Sequence, residues 1–302
     1  MPHEQPPTID PPAAARWAQM APALSPWLHE EVARRMEDRL QWIKLQPSAW
    51  AHWAPVRGGL QAHALLAHRY PNAECFVVEA QTERAQAAIK SIAKPWWNPA
   101  GWTAPPTRFQ MPPEASVQML WANMVLHSAA EPETLIAQWH RALATDGFLM
   151  FSCLGPDTVR ELRGLYDALG WPSPGHQFTD MHDWGDMLVN AGFAEPVMDM
   201  ERITLTYETP VRLLQDLREL GRNLHPQRFA ALRGRRWQQQ LVHELTERLA
   251  DPHEQGRLVL TFEIIYGHAL KPPPRLTIRA ETILSLDDMR SALHQRKRPG
   301  QG

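Results

Sequence analysis

The apolar positions of the chain follow two spacings in turn, and their order predicts an α/β protein. Between residues 28 and 40, leucine, valine and methionine recur at every fourth position, as on one face of an amphipathic helix. Residues 75–78 (Cys-Phe-Val-Val) form a short, wholly apolar run, which is typical of a strand buried on both faces. Strand, turn, helix, strand and helix follow one another over residues 50–93, and this order predicts a right-handed parallel crossover.

The same two patterns predict elements along the rest of the chain. The predicted strands cover residues 50–54, 75–78, 117–124, 148–154, 202–207 and 258–266, with a weak strand near Phe109. The predicted helices cover residues 12–45, 60–69, 83–93, 133–144, 156–169, 181–191 and 210–249. We expect a doubly wound sheet with the first strand near its centre and an antiparallel last strand inserted near one edge.

Length and composition fit one large globular domain. The chain has 302 residues, 44% of them hydrophobic and 21% charged. Residues 1–11 are proline-rich and are predicted to be disordered. Residues 12–270 are predicted to form the domain, and residues 271–302 a basic C-terminal tail.

Charge and cysteine content narrow the classes of partner and compartment. The formal net charge is −2, so nothing global favours nucleic acid or an anionic membrane as a partner. No apolar run approaches the roughly 20 residues that a membrane span needs. The two cysteines, Cys75 and Cys153, lie in apolar runs and are predicted to be reduced, which favours a cytoplasmic protein.

In a doubly wound sheet the ligand binds where the first strand turns into its helix, and two features lie there. Gly58 and Gly59 end that turn, and they suit either close approach of a ligand or any tight turn. Glu79 follows the second strand, where a carboxylate can accept both hydroxyls of a ribose. The alternative for Glu79 is a solvated charge near the start of a helix.

Several unusual strings resemble one enzyme family. They are MLWANMVLHSAAEPETLIAQWHRAL, GFLMFSCLGPDTVRELR and HQFTDMHDWGDMLVNAGFAEPVMDME, over roughly residues 120–200. They are similar to the malonyl-acyl-carrier-protein O-methyltransferases of biotin synthesis, class I S-adenosylmethionine-dependent methyltransferases. The flanking strings LQWIKLQP, LLQDLRELGRN and FEIIYGHAL agree, so the resemblance covers roughly residues 12–270.

The resemblance implies a Rossmann-like, mostly parallel seven-stranded sheet and a helical lid, here about residues 156–200 and 209–257. It implies S-adenosylmethionine as cofactor, held by Gly58, Gly59, Glu79 and Asn123. It also implies methyl transfer to the free carboxyl of a malonyl thioester on acyl-carrier protein. Basic residues of the lid, among them Arg212, Arg218 and Arg222, are candidates for contact with the acceptor or the acidic carrier.

The chain departs from the family pattern in the cofactor half. The family's first loop reads Asp-x-Gly-x-Gly-x-Gly, whereas this chain has His52, Ala54, Val56 and Gly58 at those positions. Between residues 85 and 113 there is no acidic residue for the adenine amino group, and tryptophans 96, 97 and 102 lie there instead. Where the family has a tyrosine near the amino terminus, this chain has Trp17, and where the family has a tryptophan after the fourth strand, it has Ser128.

Three hypotheses about function follow. The first is an active methyltransferase, and the second a catalytically inactive relative that binds a carrier protein or another partner. The third is a protein-modifying relative of the complex I assembly arginine hydroxylases, whose central motif resembles GPDTVREL.

A metal site is not predicted, because His176, His182 and Asp183 do not share one helical face. Nucleic-acid binding has only the short basic run at residues 296–298 to support it.

Overall fold

The computed structural model describes residues 8–93 and 105–274. The elements below all belong to one compact unit, which ends at residue 272. The predicted basic tail, apart from residues 271–274, and tryptophans 96, 97 and 102 therefore lie outside the described residues. Residues 8–10, which were predicted to be disordered, pack on the domain, where Ile9 is buried.

The strands and helices alternate in the order expected of a doubly wound sheet. The strands are β1 (Ala49–Trp53), β2 (Glu74–Val78), β3 (Thr107–Arg108), β4 (Val117–Ala122), β5 (Leu143–Leu154), β6 (Ala194–Tyr207), β7 (Ala250–Asp251) and β8 (Arg257–Leu270). The helices are α1 (Pro11–Met20), α2 (Trp27–Arg39), α3 (Pro55–Gly58), α4 (Ala62–Arg69), α5 (Thr82–Ile92), α6 (Pro132–Ala142), α7 (Arg160–Ala168), α8 (Met181–Asn190), α9 (Pro210–Leu220) and α10 (Arg235–Leu249).

The sheet confirms the predicted topology. Its strand order is β3-β2-β1-β4-β5-β8-β6, and the short β7 pairs with β8. β1 to β5 are parallel, whereas β8 is antiparallel to both β5 and β6. β1 thus lies inside the sheet, and the antiparallel last strand is inserted beside one edge.

The core fills both faces of the sheet because successive strand residues point to opposite sides. Trp50 and Trp121 face the layer that holds α2, α4, α7, α9 and α10. Ala51 and Leu120 face the layer that holds α6 and α8. Of the helices in the predicted lid segments, α7, α9 and α10 pack in the first of these layers, whereas α8, which the predicted segment 156–200 includes, packs in the opposite one.

The predicted helix 210–249 is divided into α9 and α10, and two further differences from the sequence-based expectation lie beside the cavity. The predicted helix 12–45 is divided into α1 and α2, because Pro22 and Pro26 lie between them. The turn after β1 contains a short helix, α3, in place of an irregular loop. Both differences shape the ligand side of the sheet, since α1 and α3 border the same cavity.

Candidate functional site

A cavity of about 380 Å³ opens at the carboxyl ends of the central strands. Ala54, Met124 and Leu154 lie at the ends of β1, β4 and β5 and form its base. α1 covers it from one side, α7 from another, and the end of α9 with residues 221–224 from a third. This is the position at which doubly wound sheets bind ligands, because the strand order reverses there.

The loop after β1 keeps a backbone that favours glycine although alanine stands in it. Ala54 has φ 50° and ψ 49°, in the left-handed region that costs a residue with a Cβ. Its N–H donates to the carbonyl of Val78 at 2.8 Å, which fixes the turn to β2. This loop therefore has a backbone conformation that favours glycine, at a position where the chain carries alanine.

Gly58 and Gly59 support the loop from behind, and neither is among the residues that line the cavity. A Cβ at Gly58 would lie 2.4 Å from the carbonyl oxygen of Asn123. Gly59 has φ 131°, and a Cβ there would lie 2.9 Å from the Cβ of Ala33. Both glycines allow α3 to pack tightly against the end of β4 and against α2.

Glu79 lies at the end of β2, as predicted, and holds the loop with one of its two oxygens. Oε1 accepts a hydrogen bond from the N–H of Val56 at 2.8 Å. Oε2 is buried and has no hydrogen-bond partner. Burial raises the pKa of this carboxyl, while the Val56 N–H and the charge of Arg84 act in the opposite direction. The free oxygen is an unsatisfied acceptor beside the loop, and Glu79 is not among the residues that line the cavity.

Asn123 also lies at the predicted place, and its side chain is fully engaged by the protein. Nδ2 donates to the carbonyls of His29, at 2.8 Å, and Gly58. Oδ1 accepts from the hydroxyl of Ser152 at 2.6 Å. These bonds join α2, α3 and β5, so in this arrangement Asn123 positions the loop.

The string GPDT, which carries much of the family resemblance, builds the turn from β5 into α7. A Cβ at Gly155 would lie 2.3 Å from a Glu263 carboxylate oxygen, so only glycine fits without displacing that side chain. Asp157 pairs with Arg202 at 2.7 Å, and the hydroxyl of Thr158 donates to the carbonyl of Glu263 at 3.1 Å. The turn thereby presents Thr158 and Val159 to the cavity.

Arg57 is a site residue that the sequence alone did not single out. Its guanidinium is buried and donates to the carbonyls of Leu24, at 2.8 Å, and Glu219, at 2.6 Å. Glu219 is near the C-terminus of α9, where a cation is favourable. Burial lowers the pKa of Arg57 to about 10, and repulsion from Arg84 contributes. The signal in the sequence was an arginine directly before the glycine pair of a ligand-side turn.

The three arginines predicted on α9 and just after it separate in space. Arg218 and Arg222 line the cavity. Arg212 is exposed, pairs with Asp216 at 3.0 Å and is not among the lining residues. Arg222 lies 5.2 Å from the centre of the Trp17 ring, and Arg57 lies 5.5 Å from it, so this tryptophan contacts two guanidinium groups.

Three histidines line the same cavity and are uncharged at neutral pH. Burial lowers the pKa of His29 to about 4 and also lowers the pKa of His127 and His176. The Nδ1–H of His29 donates to the carbonyl of Arg57 at 2.7 Å, and Nε2–H of His176 donates to that of His127 at 3.0 Å. The rings are therefore neutral polar surfaces.

Across the described ranges 8–93 and 105–274, no group of three or more His, Cys, Asp or Glu side chains could hold a metal ion.

α1 closes the cavity through contacts at both of its ends. Asp10 pairs with Arg228 at 2.6 Å, and its N–H donates to the carbonyl of Leu224 at 2.8 Å. Arg84 donates to the carbonyl of Ala18 near the other end. The contacts of Asp10 hold the start of α1 against the loop after α9, so α1 and that loop cover the cavity together.

The chain is similar in sequence to several curated proteins. It is 39% identical over 258 residues to the malonyl-[acyl-carrier protein] O-methyltransferase of Gallionella capsiferriformans, covering 82% of this chain and 86% of that protein. The protein of the same name from Nitrosospira multiformis is 35% identical over 267 residues, 83% of this chain and 85% of the other. The one from Laribacter hongkongensis is 43% identical over 162 residues, 53% of each chain. No protein-family model matches the chain.

Solved structures agree with the fold. A protein from Bacillus halodurans assigned as a methyltransferase is 13% identical with a TM-score of 0.53, over 80% of this chain and all of that one. The YcgJ protein of Bacillus subtilis is 14% identical with a TM-score of 0.52, over 81% of this chain and 99% of the other. At such identities the likeness establishes the Rossmann-like methyltransferase fold. The sequence matches, which extend over more than four-fifths of the chain, establish that it belongs to the malonyl-[acyl-carrier protein] O-methyltransferase family.

Proposed function

We propose that this chain transfers the methyl group of S-adenosylmethionine to the free carboxyl of a malonyl thioester carried by acyl-carrier protein. The observation that carries the proposal is the cavity at the carboxyl ends of β1, β4 and β5, with guanidinium groups on apolar walls. Family membership supports the same reaction, because the relatives over most of the chain are named for it.

The residues beside the first loop fit the cofactor. Glu79 Oε2 is a buried acceptor without a partner, although Glu79 is not among the residues that line the cavity; we infer that cofactor binding brings a ribose hydroxyl to this oxygen. Ala54 keeps the left-handed backbone of the loop and lines the cavity. The cofactor supplies a methyl group on a positively charged sulfur, which leaves as a neutral thioether. The chain's own part is to hold the adenosyl group through Glu79 and the loop that Glu79 fixes.

The acceptor requires no general base from the protein, because a carboxylate is already ionised near neutral pH. With the cofactor bound, one carboxylate oxygen would accept the methyl group, and the electron pair of the broken S–CH₃ bond would stay on sulfur. Arg218 and Arg222 can orient the carboxylate by charge-assisted hydrogen bonds. Leu162, Leu217 and Phe262 on the walls exclude water, so orientation and desolvation supply the rate.

Mass spectrometry of malonyl-acyl-carrier protein incubated with the purified chain and S-adenosylmethionine tests the proposal. We expect the carrier to gain one methyl group, as an ester that esterase treatment removes. Glu79→Gln is expected to slow the reaction at limiting cofactor and to recover at saturation. An unmodified carrier at saturating cofactor and substrate would contradict the proposal.

A second candidate function is an inactive relative that binds the carrier protein. It is favoured by the changes at positions 52, 54 and 56 and by the use of Glu79 Oε1 to hold Val56. This candidate predicts that the chain binds malonyl-acyl-carrier protein in a pull-down and shows no heat with S-adenosylmethionine in calorimetry. Cofactor binding with ester formation would exclude it.

We further propose that the chain acts in the cytoplasm. Cys75 and Cys153 are buried and unpaired, as suits a reducing compartment. No helix among residues 8–93 and 105–274 is long and apolar enough to cross a membrane. Fractionation of the native host with an antibody against the chain tests the compartment, and recovery with the membrane pellet would contradict it.

A further inference from the structure

The charged residues that line the cavity are all of one sign, and the Glu79 carboxylate lies behind them, beside the first loop. Five arginines line it: Arg57, Arg84, Arg163, Arg218 and Arg222. No aspartate or glutamate is among the described residues that line it. The walls between the guanidinium groups are mostly apolar, so little inside the cavity screens their charge.

The hydrogen-bond partners of these arginines are uncharged. Arg163 donates to the carbonyls of Pro156 and of Thr158, the latter at 2.8 Å, and Arg222 donates to that of Arg218 at 2.5 Å. Arg57 and Arg84 likewise bind backbone carbonyls. In the described part of the chain, no carboxylate oxygen lies within 4.0 Å of any of the five guanidinium groups. Their nearest partners are thus dipoles, and carboxylates attract some of them only from beyond 4.0 Å: Glu79 and Glu83 act on Arg84, and Glu219 acts on Arg57. Four carboxylates act in the same way on Arg163, whereas the neighbouring charge that acts on Arg222 is Arg218.

The arginines also act on one another. Burial lowers the pKa of Arg57 most, and repulsion from Arg84 lowers it further; the attraction of Glu219 opposes this effect and is larger than the repulsion from Arg222. Burial and the neighbouring Arg218 lower the pKa of Arg222 in the same way. A cluster of partly desolvated like charges raises the potential of the cavity, so it favours an anion and disfavours a cation.

We propose that the anionic acceptor and the cationic cofactor bind to this cavity cooperatively, with the acceptor's carboxylate neutralising the guanidinium groups that otherwise repel the sulfonium. The inference rests on the proposed function and adds to it a dependence of cofactor affinity on the acceptor. S-adenosylmethionine carries one net positive charge, whereas its demethylated product, S-adenosylhomocysteine, carries none. The coupling is therefore specific to the methylated form.

The reaction itself removes the coupling. Methyl transfer converts the carboxylate into a neutral ester and the sulfonium into a neutral thioether. The guanidinium groups then face no anion, and neither product gains from the presence of the other. Cooperative entry of substrates and independent release of products follow from the same five charges.

Calorimetry with two cofactor forms tests the inference. The chain is titrated with S-adenosylmethionine in the presence of sodium malonate, and in sodium chloride at the same ionic strength. We expect malonate to tighten this binding by roughly tenfold, the effect of one unit charge acting across several ångströms of protein. Malonate affinity must rise by the same factor when the cofactor is present, because coupling is reciprocal. S-adenosylhomocysteine carries no net charge, so its affinity is expected to be nearly unchanged by malonate.

Substitution of one cavity arginine separates this explanation from direct attraction between the two ligands. Arg218→Met keeps an apolar stem and removes one charge from the cavity. We expect it to tighten S-adenosylmethionine in the absence of malonate and to weaken malonate. Arg141→Met is the matched control, because Arg141 is exposed, lies outside the cavity and has only a 4.0 Å contact to Glu114.

Three outcomes would overturn the inference, and they differ from a failure of the proposed function. Equal effects of malonate on the two cofactor forms would show that charge is not the cause. Unchanged cofactor affinity in Arg218→Met would show that the arginines do not repel the sulfonium. Ester formation without any coupling would leave the proposed function standing and remove this inference. Absence of cofactor binding with and without malonate would remove both.

Discussion

Ala54 is the position where the family's loop and this chain's sequence disagree most directly, and its replacement by glycine has a definite expected effect. At φ 50° and ψ 49° an alanine is less stable than in the right-handed region by about 1–2 kcal/mol, because its Cβ crowds the following carbonyl. Glycine avoids that strain and loses about 0.5–1 kcal/mol through the extra freedom of the unfolded chain. Ala54→Gly should therefore raise the free energy of unfolding by about 0.5–1 kcal/mol.

Urea denaturation followed by circular dichroism measures this difference. We expect the unfolding midpoint to rise with an unchanged slope, since the surface exposed on unfolding stays the same. Ala115→Gly is the matched control, because Ala115 also has a positive φ of 52° and lies in an exposed turn away from the cavity. Both variants should be stabilised, but only Ala54→Gly should tighten S-adenosylmethionine, since only Ala54 presents its methyl to the cavity.

Two results would refute this reasoning. A midpoint below that of the unmodified chain would show that Ala54 is not strained, so the left-handed loop would not be the native one. Equal cofactor affinity in Ala54→Gly and the unmodified chain would show that the methyl group of Ala54 does not limit cofactor binding.

Three further substitutions test the roles assigned around the loop. Asn123→Ala removes the side-chain donor to the carbonyls of His29 and Gly58, so the free energy of unfolding should fall by about 2–4 kcal/mol. A thermal midpoint within error of that of the unmodified chain would contradict this role of Asn123. Glu79→Gln should weaken cofactor binding in calorimetry. Because burial raises the pKa of Glu79, the stability that this carboxyl contributes is complete at acid pH and is lost as pH rises through that pKa. The variant should therefore be at least as stable as the unmodified chain at neutral pH and no more stable than it in acid. His52→Asp would bury a carboxylate where both ring nitrogens now lack partners, and should lower the free energy of unfolding by roughly 3 kcal/mol or more; an equally stable variant in urea would show that the site admits a donor or water.

Much of the fold could be predicted from the sequence because its signals are local. The apolar run at residues 75–78 became β2, and the alternation of short apolar runs with helical periods gave the parallel core of the sheet. The break between α1 and α2 was also encoded locally, in Pro22 and Pro26, although the helical period around them concealed it. The short α3 had no such signal, since four residues are too few to show a period.

The sequence predicted where the site residues lie in the sheet, but it did not predict which contacts their side chains make. Glu79 and Asn123 lie at the ends of β2 and β4, where strand ends place ligand-side residues. Which atoms of these side chains remain free depends on partners distant in sequence, such as Val56 for Glu79 and Ser152 for Asn123. Arg57 shows the same limit, because its importance comes from carbonyls of α9, about 160 residues away, that no local pattern can indicate.

The crystal structure of the chain grown with S-adenosylhomocysteine and malonate tests the central claim most directly. We expect a ribose hydroxyl within hydrogen-bond distance of Glu79 Oε2 and the malonate carboxylate among the guanidinium groups of Arg218 and Arg222. A cavity that holds malonate at full occupancy and no adenosyl group, at saturating concentrations of both, would contradict it.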